Sequence, residues 1–173
     1  KEPEVEGLLA LMLLHHARHA ARLDADGAIV SLEEQDRSLW NRGEIAEGGS
    51  MVELALKRGR PGPYQLQAAI VAIHADSPSF EETDWEEIAL LYGVLCRMSP
   101  NPVFELNRIV AISYDEGPEP ALARLATIAP MLTQYQPFHA VQADLLARLG
   151  RKDEAKLSYQ LAHDLSQTEA ERL

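Results

Sequence analysis

The chain is poor in cysteine, in aromatic residues and in positive charge. Cys96 is the single cysteine among 173 residues. An internal disulfide is therefore excluded, and a reducing, cytoplasmic location is the expectation. Cys96 stands between Leu95 and Arg97 in a helical pattern, with no histidine beside it, which suits packing rather than nucleophilic chemistry. Aromatic residues make up only 6% of the chain while Ala and Leu are abundant, which favours packed helices over a sheet. Lys and Arg number 16 against 27 Asp and Glu, a formal net charge of −11. So acidic a surface repels phosphate backbones, so direct contact with nucleic acid is not expected and a basic protein partner is. Long apolar runs are also missing. The run Leu8–Leu14 has seven residues, against about 20 needed to cross a bilayer. The opening KEPEVEG is acidic where a signal peptide needs a basic segment. Lys1 directly precedes a helical pattern, as at the cut end of a longer protein. What is present in quantity is apolar surface: 46% of residues, enough for one domain with a packed core, spanning 1–173.

The second half carries a repeat. In LARLGRKDEAKLSYQLAHDL (146–165), Ala155, Tyr159 and Ala162 have the spacing of one helix face. Stepping back 34 residues gives Ala121, Leu125 and Ile128; a further 33 gives Ile88, Tyr92 and Leu95. All nine are apolar or aromatic. The period and spacing resemble the tetratricopeptide repeat, a pair of antiparallel helices. The expected fold is all-α: three helix pairs at 63–77 with 84–99, 102–115 with 118–130, and 137–149 with 151–165. Two lead helices, 4–22 and 34–57, precede them. Residues 1–58 form the lead section and 59–173 the repeats. Ser31 with Glu34 and Thr83 with Glu86 have capping-box spacing. Asn101-Pro102 and Pro118 read as helix starts, and Gly150 as a left-handed turn residue. Stacked pairs share one core, so Tyr159→Asp is expected to destabilise the whole array.

Three patterns suggest metal or catalytic chemistry. Asp24, Asp26, Gly27, Ile29 and Glu33 fit a calcium loop, but Arg22 stands where the first ligand belongs, so a glycine turn is the better reading. His15 and His19 are one helical turn apart, with no carboxylate or cysteine on the same face to complete a metal site. His74, near a helix end, reads as structural. No phosphate loop, nucleophile elbow or H-E-x-x-H occurs, so neither an enzyme nor a cofactor is expected. Asp84 opens a helix as a first-turn acid, and Trp85 is expected to pack against a neighbour.

The stretch LEEQDRSLWNR (32–42) places Gln35, Asp36, Arg37 and Trp40 within six residues. With Asp36 and Trp40 on one helix face, Arg37 offers a fork for carboxylates or carbonyls and Trp40 an interface anchor. Tyr64, Gln65, Gln67 and His74, and then Asn107 and Arg108, are polar positions on the first helices of the pairs, where partners bind such arrays. Two readings stand side by side. Gln35, Asp36, Arg37, Trp40, Tyr64, Gln67, His74, Asn107 and Arg108 form a partner-binding surface, or the Arg37–Trp40 cluster is a buried network fixing the lead helices.

GLLALMLLHHAR, LDADGAIVSLEEQDRSLWNRGEIAEG, GPYQLQAAIVAIHADS, TDWEEIALLYGVL and NPVFELNRIVAISYDEGP together resemble the C-terminal, tetratricopeptide-like extension of a group of bacterial extracytoplasmic-function RNA polymerase sigma factors. The resemblance covers essentially the whole chain. It implies a regulatory domain acting in transcription initiation, with the promoter-reading sigma regions upstream and absent from this chain. Implied partners are its own sigma regions or the polymerase core. A small YCII-like protein is a further candidate, since genes of the family often adjoin one. His16, where the family often has an acid, and Ile109, where it has small residues, are departures. The rival expectation is a sensor binding an acidic small ligand or peptide among Trp40, Tyr64, His74 and Arg108.

Overall fold

In the computed structural model, which describes residues 2–166, the chain is all-α. Lys1 and residues 167–173 of the expected domain span lie outside the described residues. Eight α-helices are described: α1 Pro3–His16, α2 Arg42–Leu56, α3 Pro63–Asp76, α4 Trp85–Met98, α5 Pro102–Asp115, α6 Pro118–Ile128, α7 Gln136–Arg148 and α8 Lys152–Leu165. Three short 3-10 turns accompany them, at His19–Ala21, Arg37–Leu39 and Ala129–Met131. The described residues contain no strand, only an isolated antiparallel bridge between Leu23 and Ile29. No described helix is long and apolar enough to cross a membrane.

Local chemistry accounts for the boundaries. Asn101 accepts from the Val103 amide at 2.9 Å, and Pro102 follows as a first-turn residue that needs no donor. Gly62-Pro63 and Gly117-Pro118 open α3 and α6 with the same first-turn proline but without a side-chain cap from the preceding residue. Between α7 and α8, Gly150 takes φ +73°, its amide donates to Ala147 O at 2.9 Å, and the Arg151 amide donates to Leu146 O at 2.9 Å. That pair of bonds is a Schellman closure, which requires a left-handed residue at this position.

The helices fall into two compact units. The first takes in the chain up to Asp84, together with Arg97–Ser99. In it α1 packs against both α2 and α3, which also meet each other. Its core is built from Ala10, Leu14, Trp40, Ile45, Leu66 and Ile70. The second holds Trp85–Cys96 and the chain from Pro100 on, with α5 packed on α6, α6 on α7 and α7 on α8. The helices α5 and α7 begin 34 residues apart, at Pro102 and Gln136, as do α6 and α8, at Pro118 and Lys152. Ala121, Leu125, Ile128, Ala155 and Ala162 are buried as the period requires, and so are Ile88 and Leu95.

Three sequence expectations need correction. Tyr159 is 50% exposed, and Ser158 takes the buried position between Ala155 and Ala162, its hydroxyl donating to Gln142 Oε1 at 3.2 Å. The α8 face is narrower than the apolar pattern suggested, because the hydroxyl has a partner on α7. The second lead helix begins at Arg42, not residue 34. Asp36 and Asn41 both act as N-caps, the first opening a 3-10 turn and the second starting α2, so Asp36 and Trp40 do not share a helix face. The first lead helix ends at His16, with a separate turn at His19–Ala21, so His15 and His19 do not lie one helical turn apart.

Candidate functional site

The polar stretch 35–41 folds as a knot at the end of α1. Asp36 Oδ1 accepts from the Ser38 amide at 2.8 Å, and hydrogen bonding from the Ser38 hydroxyl, then from its amide, holds the Asp36 carboxyl below the usual range. The turn aims Arg37 at the C-terminus of α3, where Nη1 donates to His74 O at 2.8 Å and to Ser77 O at 2.9 Å. A guanidinium there satisfies carbonyls that have no helical partner and meets the negative end of the helix dipole. Trp40, 3% exposed, lies beneath it, with the Arg37 guanidinium carbon 4.5 Å from the ring centre. The Asn41 amide then donates to Ala17 O at 2.8 Å, tying the turn to the end of α1. Gln35 Nε2 donates to Val30 O at 3.1 Å.

Sequence reading missed the second arginine here. Arg18 is 7% exposed, and its guanidinium carbon lies 5.6 Å from the Trp40 ring centre. Its Nη2 reaches His15 Nδ1 at 3.4 Å. Burial, then the nearby Arg22 and Arg37 charges, lower its pKa to about 10. The same forces act on the histidines. Burial, then Arg18 and Arg37, lower His74 to about 4, and burial, then Arg18 and Arg22, lower His15. Positive charge on either imidazole is disfavoured by burial and by the neighbouring guanidiniums.

Gln35, Asp36, Arg37, Trp40 and His74 are thus gathered in the first unit. Tyr64 and Gln67 sit on the first turns of α3, and His74 on its last, about 15 Å along the axis from Tyr64. The start of α3 has a site of its own. Glu4 of α1 accepts from the Tyr64 amide at 3.1 Å through Oε2, and from the Gln65 amide at 3.2 Å and Gln65 Nε2 at 3.0 Å through Oε1. Gln65 is fully buried and also donates to Arg60 O at 3.0 Å. A Cβ at Gly62 would lie 2.2 Å from Glu4 Cδ, so glycine is what lets the carboxylate cap the helix. Gln67 donates to Pro63 O at 3.1 Å. No local signal pointed to Glu4, which acts across 61 positions of sequence.

Asn107 and Arg108 are on α5 in the second unit. Asn107 bonds the hydroxyl of the half-buried Tyr92, and Arg108 pairs with Glu105 at 3.5 Å while lying against Gly93. Trp85 packs as expected, stacked on Tyr114 with centroids 4.5 Å apart. On the same Tyr114, Arg148 lies 4.7 Å from the ring centre and donates to Ser113 Oγ at 2.9 Å and to Ser113 O. Each unit therefore uses an arginine laid on an aromatic ring to close the C-terminal end of a first helix, Arg37 on Trp40 for α3 and Arg148 on Tyr114 for α5.

Asp24 Oδ1 accepts from the Asp26 and Ala28 amides, both at 2.9 Å, so it organises a turn in which Gly27 takes φ +84°. His16 stacks on His19, 4.7 Å between centroids, and its Nδ1 lies 2.9 Å from Glu44 Oε2, a carboxylate supplied by α2. Among the described residues no group of three or more His, Cys, Asp or Glu side chains is placed to hold a metal ion.

Residues 1–56 match the model of a family of unknown function, DUF6596. An uncharacterized protein of Rhizobium meliloti (strain 1021) is 49% identical over 170 residues, covering 98% of this chain and 40% of the relative. The chain thus spans well under half the length of that relative. No solved structure matches. These findings make the chain similar to DUF6596 over α1, α2 and the segment between them, and to one stretch of a longer bacterial protein over nearly its whole length.

Proposed function

We propose that the chain is the regulatory interaction domain of a bacterial extracytoplasmic-function sigma factor, controlling promoter-directed transcription initiation by docking onto the sigma regions of the same longer protein. The observation that carries this reading is the similarity of 98% of the chain to only 40% of a longer relative, which leaves room for other regions. The sequence resemblance names those regions, and a net charge of −11 suits a domain that masks or steers a basic DNA-reading face.

Docking belongs to the outer face of α1. Val5, Leu9 and Met12, spaced by four and three along one helix face, are 65%, 49% and 60% exposed, and Leu8 is exposed beside them. Arg37, Trp40 and His74 are committed to folding the first unit. Among the residues expected to face partners, Asp36, Tyr64 and Asn107 are the exposed ones. An apolar stripe within an acidic domain suits a partner with an apolar patch rimmed by basic residues. The test is a promoter reporter driven by the full-length protein. Deleting the domain, or substituting Leu9→Glu with Met12→Glu, is expected to change promoter output or its regulation. Unchanged output and regulation after deletion sinks the proposal.

A further inference from the structure

The cluster around Trp40 has a charge imbalance that folding does not explain. Arg37 discharges its Nη1 onto the α3 carbonyls, but Arg18 has no such partner. Among the described residues neither arginine forms an ion pair within 4.0 Å. Glu81 acts on Arg37 only at longer range, behind burial and Arg42. Three buried N–H groups in the cluster have no hydrogen-bond partner: Arg18 Nε, Arg37 Nη2 and Trp40 Nε1. Two of these side chains, Arg18 and Trp40, are more than nine-tenths buried. A water could accept hydrogen bonds from such donors but could not neutralise the buried Arg18 guanidinium, and an unpaired buried charge is among the costliest features a fold can carry.

We propose that Arg18, Arg37 and Trp40 form a receptor for a carboxylate. Both guanidiniums border the one indole ring, and each of the three side chains has one N–H to give. That is a set of single donors for the two oxygens of a carboxylate. The charge of the ligand follows from its surroundings. Arg37 already faces His74 O and Ser77 O, the negative end of α3, so a second negative charge, as on phosphate, is disfavoured there. The three N–H groups are closed off from solvent, and Arg37 directly follows the non-helical segment 31–36, which is exposed or half-buried along its length. The carboxylate comes from a small molecule or from an acidic side chain of a protein segment. This inference does not depend on the docking role of α1.

The test is thermal unfolding of the chain in rising sodium acetate against sodium chloride of equal ionic strength, with an amidated tetraglutamate peptide as a second probe. The expected result is a saturable rise in Tm, about 5 °C or more at a hundred times Kd. A response to acetate points to a free carboxylate; a response to the peptide alone points to an acidic segment. Arg18→Met is expected to abolish the response and, by removing an uncompensated buried charge, to raise the Tm measured without either probe. Trp40→Phe, which keeps a ring and removes one N–H, is expected to weaken binding about tenfold and serves if Arg18→Met does not fold. No shift with either probe, or a shift of full size in Arg18→Met, overturns the proposal.

Discussion

Glu4 gives the most direct access to what holds the first unit together. Its carboxylate accepts three hydrogen bonds, two from the first turn of α3 and one from the buried Gln65 amide. In Glu4→Ala the α3 N-terminus loses its side-chain cap, worth about 1 kcal/mol. The Gln65 side chain keeps only Arg60 O as acceptor, which adds about 1–3 kcal/mol for a buried donor left without its charged partner. The expected total is about 2–4 kcal/mol. Gly62→Ala strikes the same contact from the other side, since its Cβ would lie 2.2 Å from Glu4 Cδ and force the carboxylate out. The two substitutions should therefore fail to add. In a double-mutant cycle by urea unfolding, followed by circular dichroism, the doubly substituted chain should be about as stable as the worse single one, a coupling of about 2 kcal/mol. Additive losses, or a Glu4→Ala loss under about 0.5 kcal/mol, would refute the assignment of this carboxylate as the α3 cap.

Other outcomes follow from the same geometry. Tyr159→Asp should cost under about 1 kcal/mol because Tyr159 is half exposed, while Ala155→Asp, at a site 4% exposed, should prevent cooperative unfolding altogether, as read by thermal melts. His74 is held near 4 when folded and rises to 6.5 when unfolded, so the unfolded chain binds the extra proton between those values. Stability is then fully present above pH 6.5 and falls toward pH 4, by on the order of 3 kcal/mol. His74→Gln should flatten that part of a stability-against-pH curve. Arg148→Met should expose the second-unit counterpart of the Arg37 closure. Losing the bonds to Ser113 is expected to cost about 2 kcal/mol in urea unfolding, and a loss within error would contradict the role given to that guanidinium.

The C-terminal half was legible because its helices are regular and its boundaries local. Asn101-Pro102, Gly117-Pro118 and Gly150 each decide a helix end through atoms within a few residues, and the 34-residue spacing follows from them. The segment between α1 and α2 was not legible. Ser31 and Glu34 do bond one another, Oγ to Oε2 at 2.8 Å, but no helix follows, because Gln35 turns back to Val30 O and Asp36 caps a separate turn. Periodicity says nothing about such backbone. Arg37 and Trp40 lie together, 4.5 Å from guanidinium carbon to ring centre, yet neither the burial of Trp40 nor the presence of Arg18 could be read from spacing. Their partners, His74 O and Ser77 O, lie 37 and 40 positions away. Tyr159 misled because an apolar-looking residue at the right interval stood beside a serine whose hydroxyl found a partner on α7.

The measurement that bears most directly on the proposed role is calorimetric titration of this chain into the separately expressed sigma regions of the same longer protein, at low and at moderate salt. A docking domain of net charge −11 is expected to bind with an affinity that falls as salt rises, to lose binding in the Leu9→Glu, Met12→Glu chain, and to keep it in Asp36→Ala. No heat of binding at either salt would contradict docking onto the sigma regions.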